Sequence, residues 1–158
     1  MNPLYPYYKP FSYLLMKSLY YLADLICYKT GLSKSQLGKI VAIFHIWIIG
    51  YSYYELYFSS PIENKNYIFY YNFTFWVAFS NFVLNGCVLV KVERYLFENK
   101  EYLGPHNMLL QPAFYYLNIN NYNTKKMIQT NFMMFGFLIT LFYSKLRIMY
   151  YENQGLIL

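Results

Sequence analysis

Apolar and polar positions divide this chain into long uncharged runs separated by short charged or proline-containing stretches. The longest run is Asn66 to Val90, and Lys91 is the first charge after it. At about 1.5 Å of rise per residue, roughly 20 residues cross a bilayer core of about 30 Å. The run therefore predicts a transmembrane helix over 67–90, with Tyr67, Tyr70 and Tyr71 at one interface and Lys91 and Arg94 at the other. A second run, Ile40 to Phe58, follows Ser33-Lys34-Ser35-Gln36, which has the spacing of a capping box. It predicts a transmembrane helix over 38–58. The short link with Pro61 makes this helix and the next an antiparallel hairpin. The third run, Met127 to Ser144, opens after Lys125 and Lys126 and predicts a helix over 127–148. Lys145 and Arg147 can snorkel at its far end.

Between these runs the pattern changes. Leu14, Leu15, Leu19, Leu22, Leu25 and Ile26 recur at helical spacing, so 11–28 reads as an amphipathic helix lying at the interface. A spanning version would need Lys17 and Asp24 buried against partner helices. Pro3, Pro6 and Pro10 keep Met1 to Pro10 from being helical throughout. KVERYLFENKE, from Lys91 to Glu101, should continue the second membrane helix into water until Gly104-Pro105 ends it. The Gly-Pro, Gln-Pro and NINNYN sequences make 99–124 an irregular loop. The expected fold is all-α: one membrane domain, 1–158, with about three transmembrane helices and an N-terminal amphipathic helix. No arginine-rich transit peptide or cleavable signal is visible, which suits a protein made inside an organelle.

Composition agrees with this pattern. The chain is 58% hydrophobic and 13% charged, where soluble domains average about 25% charged. Its net charge of +6 is spread over segment ends. That is the positive-inside pattern of a membrane protein, not the dense basic patch of a nucleic-acid binder. Lys29, Lys34, Lys39, Lys91, Arg94, Lys100, Lys125 and Lys126 fall on the N-terminal side of a three-helix topology. Lys65, Lys145 and Arg147 fall on the other. Cys27 and Cys87 lack CxxC spacing and read as reduced thiols, with a disulfide or metal pair as the alternative. The Asn72–Thr74 glycosylation pattern lies inside a membrane run and is discounted.

Amino-acid usage is also distinctive, with 22 Tyr and 14 Phe but four Ala and two Arg. Residues with AT-rich codons are abundant and those with GC-rich codons are scarce. In this respect the chain resembles the small hydrophobic "Ymf" proteins encoded in ciliate mitochondrial DNA. That resemblance implies a subunit of an oxidative-phosphorylation complex in the mitochondrial inner membrane, and the loop charge then puts the N-terminus on the matrix side. Complex I ranks first, followed by complex IV or the membrane sector of ATP synthase, alone or within a supercomplex.

No GxGxxG, P-loop, HExxH or nucleophile elbow occurs, so no enzyme active site, metal or cofactor of its own is expected. His45, Ser52 and Glu55 share one face of the first membrane helix. They form a candidate proton relay, with packing or boundary roles as the alternative. Haem ligation by His45 and His106 is a weaker idea, because only His45 lies in a membrane helix. Thr74, Asn81 and Asn85 make a polar stripe beside the aromatic stripe of Phe75, Phe79 and Phe82. Gly136, Thr140 and Ser144 recur every four residues, the spacing that lets helix backbones approach closely. These faces are expected to contact other hydrophobic subunits. Lys91, Arg94, Lys125 and Lys126 are candidate contacts for an anionic phospholipid such as cardiolipin. The expected role is structural, and a proton-conducting subunit or an independent small transporter are the rivals.

Overall fold

The computed structural model describes residues 5–62 and 66–156, which form six α-helices and no strand. Lys65 and the terminal Ile157-Leu158 lie outside the described residues, as do Met1 to Leu4. Helix α1, Tyr5–Thr30, starts earlier than the amphipathic pattern predicts and carries Pro10 inside it. The missing Pro10 N–H costs α1 one bond near its start. It ends where Gly31, at φ +72°, donates its N–H to Cys27 O at 2.9 Å. Helix α2, Lys34–Phe58, opens on the capping box that the sequence predicts. The Gln36 N–H donates to Ser33 Oγ at 3.2 Å, and the Ser33 N–H donates to Gln36 Oε1 at 2.8 Å.

The run expected to form one helix over 67–90 is broken into α3, Tyr67–Val83, and α4, Val88–Leu96, which are bent by 66°. The cause is local. Asn85 takes φ +54° and Gly86 φ +121°, and the Gly86 N–H donates to Asn81 O at 2.8 Å. The Asn85 N–H turns back to Phe82 O at 3.4 Å. This is a Schellman stop with asparagine in the left-handed position, which its short polar side chain tolerates. Helix α4 does not run on to Gly104. It stops in the same way at Glu98, φ +52°, with the Asn99 N–H donating to Arg94 O at 3.1 Å.

The stretch 99–124 is not wholly irregular either, because it holds α5, Asn107–Tyr116. Pro112 costs this short helix one hydrogen bond without ending it. Helix α6, Tyr122–Asn153, extends beyond the predicted 127–148 at both ends. Asn121 Oδ1 caps its start by accepting from the Thr124 N–H at 3.2 Å.

Two helices, α2 with 25 residues and α6 with 32, are long and apolar enough to cross a membrane, and α3 with α4 makes a third if the bent pair is one span. Helix α1 is not among them. Contacts pair Leu56 with Tyr67, Tyr51 with Tyr70 and His45 with Cys87, so α2 and the α3–α4 segment form the expected antiparallel hairpin. Tyr53 meets Phe137 and Tyr57 meets Tyr143, so α6 runs parallel to α2. Helix α2 is thus central, touching α1, α3, α4 and α6.

Three apolar clusters fill the seams. Met16, Ala23, Leu37, Val92 and Leu96 join α1, α2 and α4. Leu56, Tyr67 and Ile148 join α2, α3 and α6 at the opposite end, and Ala78, Phe137 and Leu141 join α3 to α6. A polar corner supplements the first cluster. Lys34 lies 3.1 Å from Asp24, and both bond the Tyr95 hydroxyl, whose ring stacks on Tyr20. Hydrogen bonds from Tyr95 and Lys34 hold the Asp24 carboxyl below its ordinary range.

Arg147 does more than snorkel. Its guanidinium donates to Leu56 O, Tyr57 O and Ser59 O at 3.0, 3.3 and 2.9 Å. These are the carbonyls that the end of α2 leaves unpaired, and a cation there also favours the helix dipole. Hydrogen bonds to a charged group contribute about 1.5–3 kcal/mol each before sharing. Replacing Arg147 with Met should therefore lower stability by about 2–4 kcal/mol, read from denaturant unfolding in detergent micelles. Arg147→Lys should recover only part of it, since one ammonium cannot span three carbonyls with a planar fork.

Candidate functional site

Two features of this architecture bring chemistry-bearing side chains together. The stop at Asn85-Gly86 turns α4 against the first half of α2. Glu93, placed by the sequence pattern in a charged stretch leading into water, is instead fully buried. It meets His45, also fully buried, with Nδ1 2.8 Å from Glu93 Oε1. On its other side, His45 Nε2 lies 3.5 Å from Cys87 Sγ and 3.2 Å from His106 Nε2. The two imidazoles meet edge to face at 4.7 Å between centroids.

Paired as an imidazolium with the Glu93 carboxylate, His45 donates from Nδ1 to Glu93 Oε1 and from Nε2 toward the Nε2 of a neutral His106 or Cys87 Sγ. Burial and the neighbouring His45 charge pull His106 down to about 4, so His106 is neutral at pH 7. Burial and the Glu93 carboxylate push the Tyr102 hydroxyl up to about 12. Glu93 Oε2 is buried without a hydrogen-bond partner. Such a carboxylate is held in place by His45 at a substantial desolvation cost.

Among the described residues, no group of three or more His, Cys, Asp and Glu is placed to hold an ion. Both cysteines are free thiols.

The structure separates the proposed relay of His45, Ser52 and Glu55. All three are buried, as their shared face predicts. Yet Ser52 donates to Ile48 O at 2.7 Å, within its own helix. Glu55 Oε2 accepts from Ser59 Oγ at 2.6 Å, at the end of α2. His45 instead bonds to Glu93, Cys87 and His106 from the following segments.

The small face of α6 is an internal one. Thr140 and Ser144 are fully buried, and Thr140 bonds the Tyr57 hydroxyl of α2 at 3.0 Å. A Cβ at Gly136 would lie 3.5 Å from the Tyr53 hydroxyl. Thr74 is buried as well, whereas Phe75, Phe79 and Phe82 point outward.

Asn81 and Asn85 border a second feature, an open-sided cleft of about 610 Å³. It lies between the α3–α4 bend, the loop before α5 and the first half of α6. Lys91, Arg94 and Lys126 line it, and so does His106, whereas Lys125 lies over the Phe114 ring instead. The loop wall is tightly fitted: Gly104 has φ +91°, and a Cβ there would sit 2.6 Å from Val90 Cγ2.

Comparison with protein-family models, with curated proteins and with solved structures returns no match.

Two outcomes test this site. Glu93→Leu leaves His45 without its partner and should cost about 3–5 kcal/mol, whereas Glu93→Gln, which keeps an acceptor, should cost less. Unfolding of both variants in the same detergent measures the difference. The second outcome concerns His106, which faces His45 from α2 and shares its cleft with Lys91, Arg94 and Lys126. Its folded pKa lies below the unfolded value of about 6.5. The unfolded chain therefore binds the extra proton between these values, and this contribution is complete above about pH 6.5 and falls away toward about pH 4. His106→Asn should flatten that part of the stability profile relative to the parent chain.

Proposed function

We propose that this chain is a non-catalytic, multi-pass subunit of a larger membrane assembly, with the role of fixing neighbouring helices. The observation that carries this reading is the surface of the helices that do not span. On α5, Met108, Leu109, Tyr115 and Tyr116 are 76, 76, 88 and 89% exposed, and the helix contains no charge. A helix lying freely at an interface would turn a charged face to water. An uncharged helix with exposed aromatics is better suited to cover by another protein. The outer faces of α2, α3 and α6 are apolar too, with Trp47, Trp76 and Phe142 at 59, 61 and 69% exposure. Those faces suit lipid or neighbouring spans equally.

The amino-acid usage supports the mitochondrial inner membrane and a respiratory-chain assembly, with complex I first and complex IV or ATP synthase next. The clustering of lysines toward the shared end of α2, α4 and α6 supports a matrix-side N-terminus. A second reading, a proton-conducting subunit, is favoured by the buried His45–Glu93–His106 contacts, with Glu93 in the place first given to Glu55.

Separation of intact complexes extracted in mild detergent should find this chain with a respiratory complex or ATP synthase. Tyr115→Ser with Tyr116→Ser should release it from that complex while leaving its helical content unchanged. Migration of the unaltered chain alone contradicts the subunit reading. For the second reading, Glu93→Gln should leave assembly intact and slow proton transfer at least tenfold. Unchanged proton transfer rejects that reading.

A further inference from the structure

The cleft beside the α3–α4 bend holds charge without its complement. Lys91, Arg94 and Lys126 line it together, no acidic side chain does, and none of the three makes a salt bridge among the described residues. Each cation has limited local help. Lys91 Nζ donates to Leu84 O, and Arg94 Nε donates to Tyr102 O, both at 2.5 Å. These bonds orient the side chains but leave their charge uncompensated.

A second, independent observation comes from Gln129, which also lines the cleft and is only 7% exposed. Its Nε2 donates to Leu103 O at 2.6 Å, which fixes the amide orientation. Its Oε1 is then a buried acceptor with no donor. Leaving such an atom unsatisfied costs about 1–3 kcal/mol. The site thus asks for an anion that also carries a hydrogen-bond donor.

The rest of the lining is mixed: Asn81, Asn85, Asn123 and Thr130 add neutral polar groups, and Phe82, Val90, Met127 and Phe137 supply apolar wall. Phe82 and Met127 are also exposed on the outer surfaces of α3 and α6, so the apolar wall is continuous with the faces suited to lipid. A volume of about 610 Å³ lies within the usual range of ligand clefts.

We infer that this cleft binds one anionic glycerophospholipid, its phosphate held by Lys91, Arg94 and Lys126 and a headgroup hydroxyl donating to Gln129 Oε1. The acyl chains follow the apolar wall out between α3 and α6. This rests on the membrane reading of the chain but not on any particular assembly. It also refines the sequence expectation: Lys125 is excluded, and Gln129 enters.

The purified full chain, reconstituted in phosphatidylcholine nanodiscs, provides the test. Phosphatidylglycerol, phosphatidylmethanol (the same charge without hydroxyls) and inorganic phosphate are titrated separately, and retained lipid is counted by native mass spectrometry. The expected result is saturable retention of one phosphatidylglycerol, about tenfold tighter than phosphatidylmethanol. Lys126→Gln and Arg94→Gln should each weaken it about tenfold or more, with unchanged helical circular dichroism. Gln129→Met should erase the preference between the two anionic lipids. Lys125→Gln should change nothing.

Equal retention of phosphatidylcholine, a response to inorganic phosphate alone, or equal losses in the Lys125 and Lys126 variants would each overturn the inference. A chain that fails to enter the nanodisc would overturn the membrane reading with it. Insertion without lipid preference would overturn the inference alone.

Discussion

A carboxylate removed from water must have a partner, and the position of Glu93 makes that requirement an organising one. Glu93 and His45 are both fully buried, 2.8 Å apart, on helices that meet only because α4 folds back against α2. The bend at Asn85-Gly86 makes the meeting geometrically available, and the ion-pairing groups make it specific. Removing either partner strands the other in a low-dielectric interior. The same bend creates the cleft, because α4 leaves the line of α3 and opens a space against α6. One backbone stop therefore positions both the histidine cluster and the basic cleft.

Under the membrane-subunit proposal, the contacts that decide the fold change. Between helices surrounded by hydrocarbon, apolar burial gives little net drive, and packing with a few polar contacts sets the arrangement. The polar contacts here sit at distinct levels. Asp24, Lys34 and Tyr95 tie α1 to α2 and α4 at one end. His45 and Glu93 act farther along α2, and Arg147 gathers the last carbonyls of α2 from α6 at the other end. Thr140 and Tyr57 bond between the same two helices, where the small residues of α6 allow close approach. Helix α2 is thus fixed along its length, whereas the outer faces of α3, α5 and α6 remain open to lipid or partners.

Much of the fold was legible because the strong signals are local. Ser33 and Gln36 announce the start of α2, and uncharged length identifies the candidate spans. The hairpin through Pro61 follows from a short link. The break in the longest run was also written locally, as Asn85-Gly86, but uninterrupted hydropathy outweighed a two-residue turn signal. Helix α5 was obscured by Gly-Pro and Gln-Pro, although a proline removes only one bond from a helix. The site was much less legible. His45 stood out as an ionisable group in an apolar run, but its neighbours Cys87, Glu93 and His106 are 42 to 61 positions away. Helical periodicity joins residues on one helix, so it grouped His45 with Ser52 and Glu55. Only the bend reveals that Glu93 belongs inside. Lys125 and Lys126 are adjacent in sequence, yet only Lys126 lines the cleft, a difference set by helix rotation.

The most direct test is a double-mutant cycle between His45 and Glu93, using His45→Gln, Glu93→Gln and the pair, with unfolding free energies measured in one detergent. A coupling energy of about 1 kcal/mol or more, with the double variant less damaged than the sum of the singles, is the predicted result. Strict additivity would mean that the two side chains do not meet, and would contradict the folding of α4 against α2 on which the cluster and the cleft both depend.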